Sequence, residues 1–191
     1  MARPQKKPKA SFVSSPIFKV VLGGVIGFVV IAVLGLVLAG GKENLKTQLM
    51  ALNLHLDNTS ELVSIYQKSV KSSDLRSTSA SLYSILTNTH NKVENYLVSK
   101  YNYKPKSIDQ KLKDQATLAK DGLRAELSKA KSNGTLDQVF RAKIKSEIST
   151  FMAEITDIHD ATNDDELKKF LNSSYSSLKT LYEKLNSASG N

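Results

Sequence analysis

The sequence predicts an all-α protein: one N-terminal transmembrane helix followed by an up-and-down antiparallel bundle of four to five long helices. Three observations predict it. Val20 to Ala39 contains no charged or polar side chain and no proline. Beyond Gly41 the apolar residues recur at steps of three and four almost to the end, which is the spacing of one helix face. No segment alternates apolar and polar residues over the length of a strand.

The elements follow in chain order. Residues 1–16, MARPQKKPKASFVSSP, are basic, poor in apolar side chains and punctuated by Pro4, Pro8 and Pro16. Such a stretch cannot bury a core and is expected to be a disordered cytoplasmic tail. Residues 17–39 form the expected membrane helix. At 1.5 Å per residue the run spans roughly the 30 Å of a bilayer's hydrocarbon, and a helix satisfies its own backbone there. Five basic residues (Arg3, Lys6, Lys7, Lys9, Lys19) and no acid lie in residues 1–41, whereas Lys42 and Lys46 on the other flank are nearly balanced by Glu43. Positive flanks stay in the cytoplasm. The N-terminus is therefore expected inside, residues 42–191 outside, and the protein in the cell membrane as a single-pass anchor.

A signal peptide cleaved at Ala39–Gly40, with Val37 and Ala39 at the −3 and −1 positions, is the alternative. It would release a secreted or periplasmic helical binding module. Signal peptides have apolar regions of ~7–15 residues, shorter than this run.

Gly23, Gly27, Gly35 and Ala39 lie close to one face of the membrane helix. Small residues at such spacing let two helix backbones approach, so this face is the expected site of self-association into a homo-oligomer. Glycine is also common in membrane helices without that role. Gly40–Gly41 then reads as a joint, since two adjacent glycines cost a helix roughly 2 kcal/mol relative to alanine.

Residues 40–71 combine this joint with a stalk or first bundle helix, whose stripe is Leu45, Leu49, Leu52, Leu56, Val63, Tyr66 and Val70. Ser72-Ser73-Asp74 are cap-type residues that break it. Residues 72–187 are the expected bundle. Its first helix, about 74–100, carries Leu75, Leu82, Leu86, Val93 and Leu97 on one face and Ser, Thr and Asn on the other. Tyr101 to Lys106 is a loop, because Pro105 disfavours helix at Lys104. Ser107-Ile108-Asp109-Gln110 fits a capping box, as does Thr135-Leu136-Asp137-Gln138. The third helix runs from Ile108 to about Lys131 and the fourth to about His159. Thr162 or Asn163 is expected to cap the fifth, which carries Leu167, Phe170, Leu171, Tyr175, Leu178, Leu181 and Leu185. Residues 188–191 are a frayed tail. The second to fifth helices are the expected four-helix core.

Composition excludes several chemistries. The 191 residues include no Cys, so there is no disulfide, thiolate zinc site or thiol nucleophile. His55, His90 and His159 fall in different helices, and none belongs to an H-x-x-x-H or E-x-x-H pair. No G-x-S-x-G, P-loop or dinucleotide glycine pattern occurs. Ser128-Lys129-Ala130-Lys131 and Ser176-Ser177-Leu178-Lys179 read S-x-x-K, but no S-D-N or K-T-G triplet accompanies them. No catalytic residue, cofactor, metal site or nucleic-acid partner is therefore expected.

Charge is segregated along the chain. Lys100 to Lys131 holds nine basic and four acidic residues, whereas Glu147 to Glu166 holds seven acids and no Lys or Arg. Lys113, Lys120, Arg124, Lys129 and Lys131 form the candidate surface for an anionic partner. Asp157 and Asp160 are expected to face the basic start of the third helix, near Lys104, Lys106 and Lys111. The expected partners are the lipid bilayer and a protein or envelope polymer, and the expected role is non-catalytic: an interaction or structural module outside the membrane. A lysine-rich helix face is more often simply solvated.

Overall fold

A computed structural model describes residues 42–104 and 108–187. The expected tail, the expected membrane helix with Gly23, Gly27, Gly35 and Ala39, the expected Gly40–Gly41 joint and residues 188–191 lie outside the described residues. Among the described residues all regular structure is helical. The helices are α1 (Lys42–Gln67), α2 (Ser73–Tyr101), α3 (Gln110–Ser132), α4 (Leu136–Ala161) and α5 (Asp165–Ser187). They are 23 to 29 residues long, about 35–44 Å at 1.5 Å per residue.

Cross-helix contacts fix the directions. Asn53 meets His90, and Val70 meets Arg76, so α1 and α2 are antiparallel. Lys71 meets Asp137 while His55 meets Glu154, which sets α1 against α4. Thr89 with Ser174 and Tyr96 with Asp164 set α2 against α5. His159 with Asn172 and Lys145 with Tyr182 set α4 against α5. Asn58 reaches Ala116 and Tyr66 reaches Arg124, so α3 runs parallel to α1.

These pairings make a four-helix core of α1, α2, α5 and α4, with α3 laid on α1 and α4. The sequence reading took the second to fifth helices as the core and left α1 as a stalk or a bundle helix. In the structure α1 is central: Leu49, Leu52, Leu56, Leu62, Val63 and Tyr66 are all buried. α3 is peripheral and buries only Leu127 and Ala130 within its own length. Their side chains explain the exchange. The expected α3 stripe relies on Ala116 and Ala119, whereas α1 offers Leu at the matching steps. Fully burying a Leu stabilises by about 1.5–3 kcal/mol, far more than a methyl group can.

The stripes of α4 and α5 match expectation, with Phe140, Ile144, Ile148, Phe151, Ile155, Ile158, Leu167, Leu171 and Leu178 buried. The core face of α2 differs, because it also buries Thr78, Ser79 and Thr89. Each hydroxyl donates to the carbonyl four residues back, at 2.6–2.8 Å. That satisfies a polar group that would otherwise be costly to bury.

The helix ends show which local signals prevailed. α1 stops at Gln67, not near residue 71, and Val70 plugs the core from the link at 1 % exposure. The Asp137 carboxylate accepts the Lys71 and Ser72 backbone N–H groups at 3.0 and 2.7 Å, and the Arg76 guanidinium donates to the Val70 carbonyl. Ser72 caps α2 by accepting from Leu75 N–H. Asp109, inside the expected box, caps α3 through Lys111 and Leu112. Thr135 stands at the α4 N-cap position but makes no side-chain cap bond. Asp164, not Thr162 or Asn163, accepts from the Glu166 and Leu167 N–H groups at the start of α5. Gly134 takes the left-handed backbone at φ 71, and Asn102 does so after α2 at φ 50, both suited to such caps.

Candidate functional site

The candidate basic surface divides into two groups. Lys120 and Arg124 point across to α1, where both pair with Glu61, Arg124 at 2.8 Å. The Lys120 ammonium holds the Glu61 carboxyl below its ordinary range, against the opposing effect of burial. These two cations therefore tie the peripheral helix to the central one. Lys113 is half-buried in the second turn of α3, whereas Lys129 and Lys131 are exposed in its last turn. Cations there also complement the negative end of the helix dipole.

The acidic run is likewise used locally. Asp164 accepts two backbone N–H groups, lies 3.4 Å from Lys100 Nζ, and accepts from the Tyr96 hydroxyl at 3.3 Å. The Leu167 N–H, ahead of the Lys100 charge, keeps its carboxyl below the usual range. Burial, then the Asp164 charge, pushes the Tyr96 phenol up to about 12. Asp160 contacts His159 at 3.0 Å. The Lys100–Asp164 ion pair joins the end of α2 to the start of α5. Lys106 lies outside the described residues.

The most strongly perturbed group is one the sequence reading did not single out. His55 sits between Leu52 and Leu56 on α1, partly buried against α4. Its Nε2 lies 2.7 Å from Glu147 Oε2 and its Nδ1 3.0 Å from Glu154 Oε2. The imidazole also lies against Phe151, with ring centroids 4.2 Å apart. A neutral imidazole has a single N–H, so two carboxylate acceptors call for the imidazolium. Burial works against that cation, but the Glu154 and Glu147 carboxylates outweigh it and raise the pKa to about 10. A signal was present in the sequence. Glu147 and Glu154 are seven residues apart and flank Phe151 on the apolar stripe of α4, so both carboxylates lie on the core-facing side of that helix.

Chemically this is a closed cluster. Each nitrogen of His55 is occupied, and each glutamate side chain is only 12 % exposed. Lys143, buried on α4, pairs with Glu126 of α3, and the Thr89 and Ser174 hydroxyls lie 3.3 Å apart between α2 and α5, with Thr89 as acceptor because its own proton goes to the Ile85 carbonyl. Among the described residues no group of three or more His, Cys, Asp or Glu is arranged to hold a metal ion. No family model, no curated protein and no solved structure matches the chain.

Proposed function

We propose that the chain is a single-pass membrane protein whose helical bundle stands outside the membrane as a non-catalytic interaction or structural module. The observation that carries this reading is the uncharged run Val20–Ala39 with five basic residues and no acid in residues 1–41. No helix among the described residues is long and apolar enough to cross a membrane, so the run is the segment suited to that task. α1 begins at Lys42, just past the run, and is the central helix of the bundle. A tether joined to the central helix would transmit position or load into the folded core. His55, Glu147 and Glu154 satisfy one another, which supports a structural rather than a catalytic use of that cluster. The partner is a protein or an envelope polymer, met through basic residues of α3. Gly23, Gly27, Gly35 and Ala39 would serve self-association in the bilayer.

Release by cleavage at Ala39–Gly40 is the second reading, favoured by Val37 and Ala39 at the −3 and −1 positions. Two measurements separate them. Intact mass from membranes gives the full chain for the anchor and a product lacking residues 1–39 for release. With an impermeant thiol reagent on intact cells, Ser189→Cys is labelled and Ser11→Cys is not. The reverse labelling pattern would place the bundle in the cytoplasm and end this proposal.

A further inference from the structure

The fold gathers positive charge at one end of the bundle, a feature invisible to any single helix. The antiparallel order brings together the α1–α2 link, the end of α3, the start of α4 and the end of α5. Asp137 joins the first to α4, Gly134 lies in the turn between α3 and α4, and Lys145 over Tyr182 marks where α5 finishes beside α4. Lys68 and Lys71 stand in the α1–α2 link, Lys129 and Lys131 in the last turn of α3, Arg141 in the second turn of α4 and Lys184 in the last turn of α5. None has an ion-pair partner among the described residues.

The acids at this end answer little of that charge. Glu126 is paired with Lys143, and Asp137 is engaged by two backbone N–H groups. Asp74 and Glu183 remain. The opposite end, where α1 begins, mixes signs: Asp160, Asp164, Asp165 and Glu166 stand there with Lys46, Lys100, Lys104, Lys111, Lys168 and Lys169. The bundle is therefore polarised along its length, with the basic end where α1 finishes.

We propose that this basic end binds a linear phosphate-bearing polymer. The proposal rests on the interaction-module reading above and moves the contact from the side of α3 to the end of the bundle formed by α3, α4, α5 and the α1–α2 link. The spacing of the charges argues for a polymer. Packed helix axes are about 8–10 Å apart, so cations carried by three helices and a link are spread across the face rather than gathered at one point. A chain carrying phosphates in series meets them one after another, and each neutralised phosphate releases counterions. The surface chemistry argues against a lipid headgroup layer. Ser73, Ser132, Asn133 and Asn186 are exposed here, and Ile65 is the large apolar side chain exposed nearby. Surfaces that dock on membranes by a helix face add Trp, Phe or Leu to their lysines.

The test uses the full-length protein in neutral detergent with long-chain inorganic polyphosphate as probe, followed across a salt series. The basic leader is constant in every variant, so differences report on the bundle. The Lys129→Gln/Lys131→Gln/Lys184→Gln protein should bind about tenfold more weakly at about 50 mM salt, with a shallower dependence of log K on log salt. The Lys111→Gln/Lys168→Gln/Lys169→Gln protein, altered at the opposite end, should stay within about twofold of the parent. Equal losses in the two variants, or none in either, overturn the proposal. So does tighter, variant-sensitive binding to phosphatidylserine vesicles, which would make the surface a lipid contact. Any of these failures leaves the labelling result, and with it the membrane-anchored reading, standing.

Discussion

His55 on α1 and Glu147 on α4 lie 2.7 Å apart, while Glu154, seven residues along the same helix, closes on the other nitrogen. This clamp joins the central helix to the longest apolar stripe in the bundle. It also gives the fold a dependence on pH.

The sign follows from linkage. The His55 pKa is raised from 6.5 to about 10 in the folded protein. Its contribution is fully present below pH 6.5 and is lost as pH rises through about 10, because the unfolded chain releases that proton first. The contribution is of the order of a few kcal/mol. Thermal melts at pH 6, 8 and 10 should show a steady fall in Tm for the parent. In His55→Gln the fall over this window should be much smaller. Parallel pH curves for the two proteins would show that the imidazolium does not stabilise the fold.

Substitutions within the clamp should rank in a set order. His55→Ala leaves two carboxylates facing each other with no cation, and breaking a partly buried charge cluster this way costs about 3–5 kcal/mol. Glu147→Gln or Glu154→Gln leaves a one-to-one pair and should cost less, about 1 kcal/mol. Urea denaturation of the three variants checks this. A Glu→Gln change more harmful than His55→Ala would mean that the glutamates act through other contacts.

The central position of α1 predicts a contrast in core truncations. Leu52→Ala or Leu56→Ala should cost about 2–5 kcal/mol, as for other fully enclosed leucines. Leu118→Ala on α3, where the side chain is 70 % exposed, should stay within about 0.5 kcal/mol. A stalk-like α1 would show the opposite pattern, with both leucine truncations tolerated.

Asp137 gives a fourth measurement. Its carboxylate holds the Lys71 and Ser72 N–H groups at the close of the α1–α2 link. Asp137→Ala should lose about 1–2 kcal/mol, the range for a lost cap acceptor. Amide hydrogen exchange at Lys71 and Ser72 should quicken more than at the α4 core. Unchanged exchange at those two amides would show that the link is held by Val70 and Arg76 alone.

Much of the fold was legible. The stripes of α4 and α5, the breaks near Ser72 and Gly134, and the all-helical class follow from periodicity and turn chemistry, which are local properties of the chain. The helix caps were partly legible, because a carboxylate two residues from a candidate Ser or Thr competes for the same N–H groups. Asp109 and Asp164 prevail in that competition. Of the candidate basic surface, the sequence showed that Lys120 and Arg124 were cationic, but not that Glu61 would engage them.

The sequence by itself determined which residues are helical, where the chain turns and which faces are apolar, since each depends on neighbours within a turn or two. Tertiary structure alone decided that α1 is central and α3 peripheral, because that depends on how much apolar volume each helix offers to the others. It decided that His55 is a cation, because its carboxylates come from residues more than ninety positions away. It also decided that basic residues of α3, α4, α5 and the α1–α2 link meet at one end. Antiparallel packing superposes helix ends that the sequence keeps far apart, and electrostatic interaction depends on distance in space rather than along the chain.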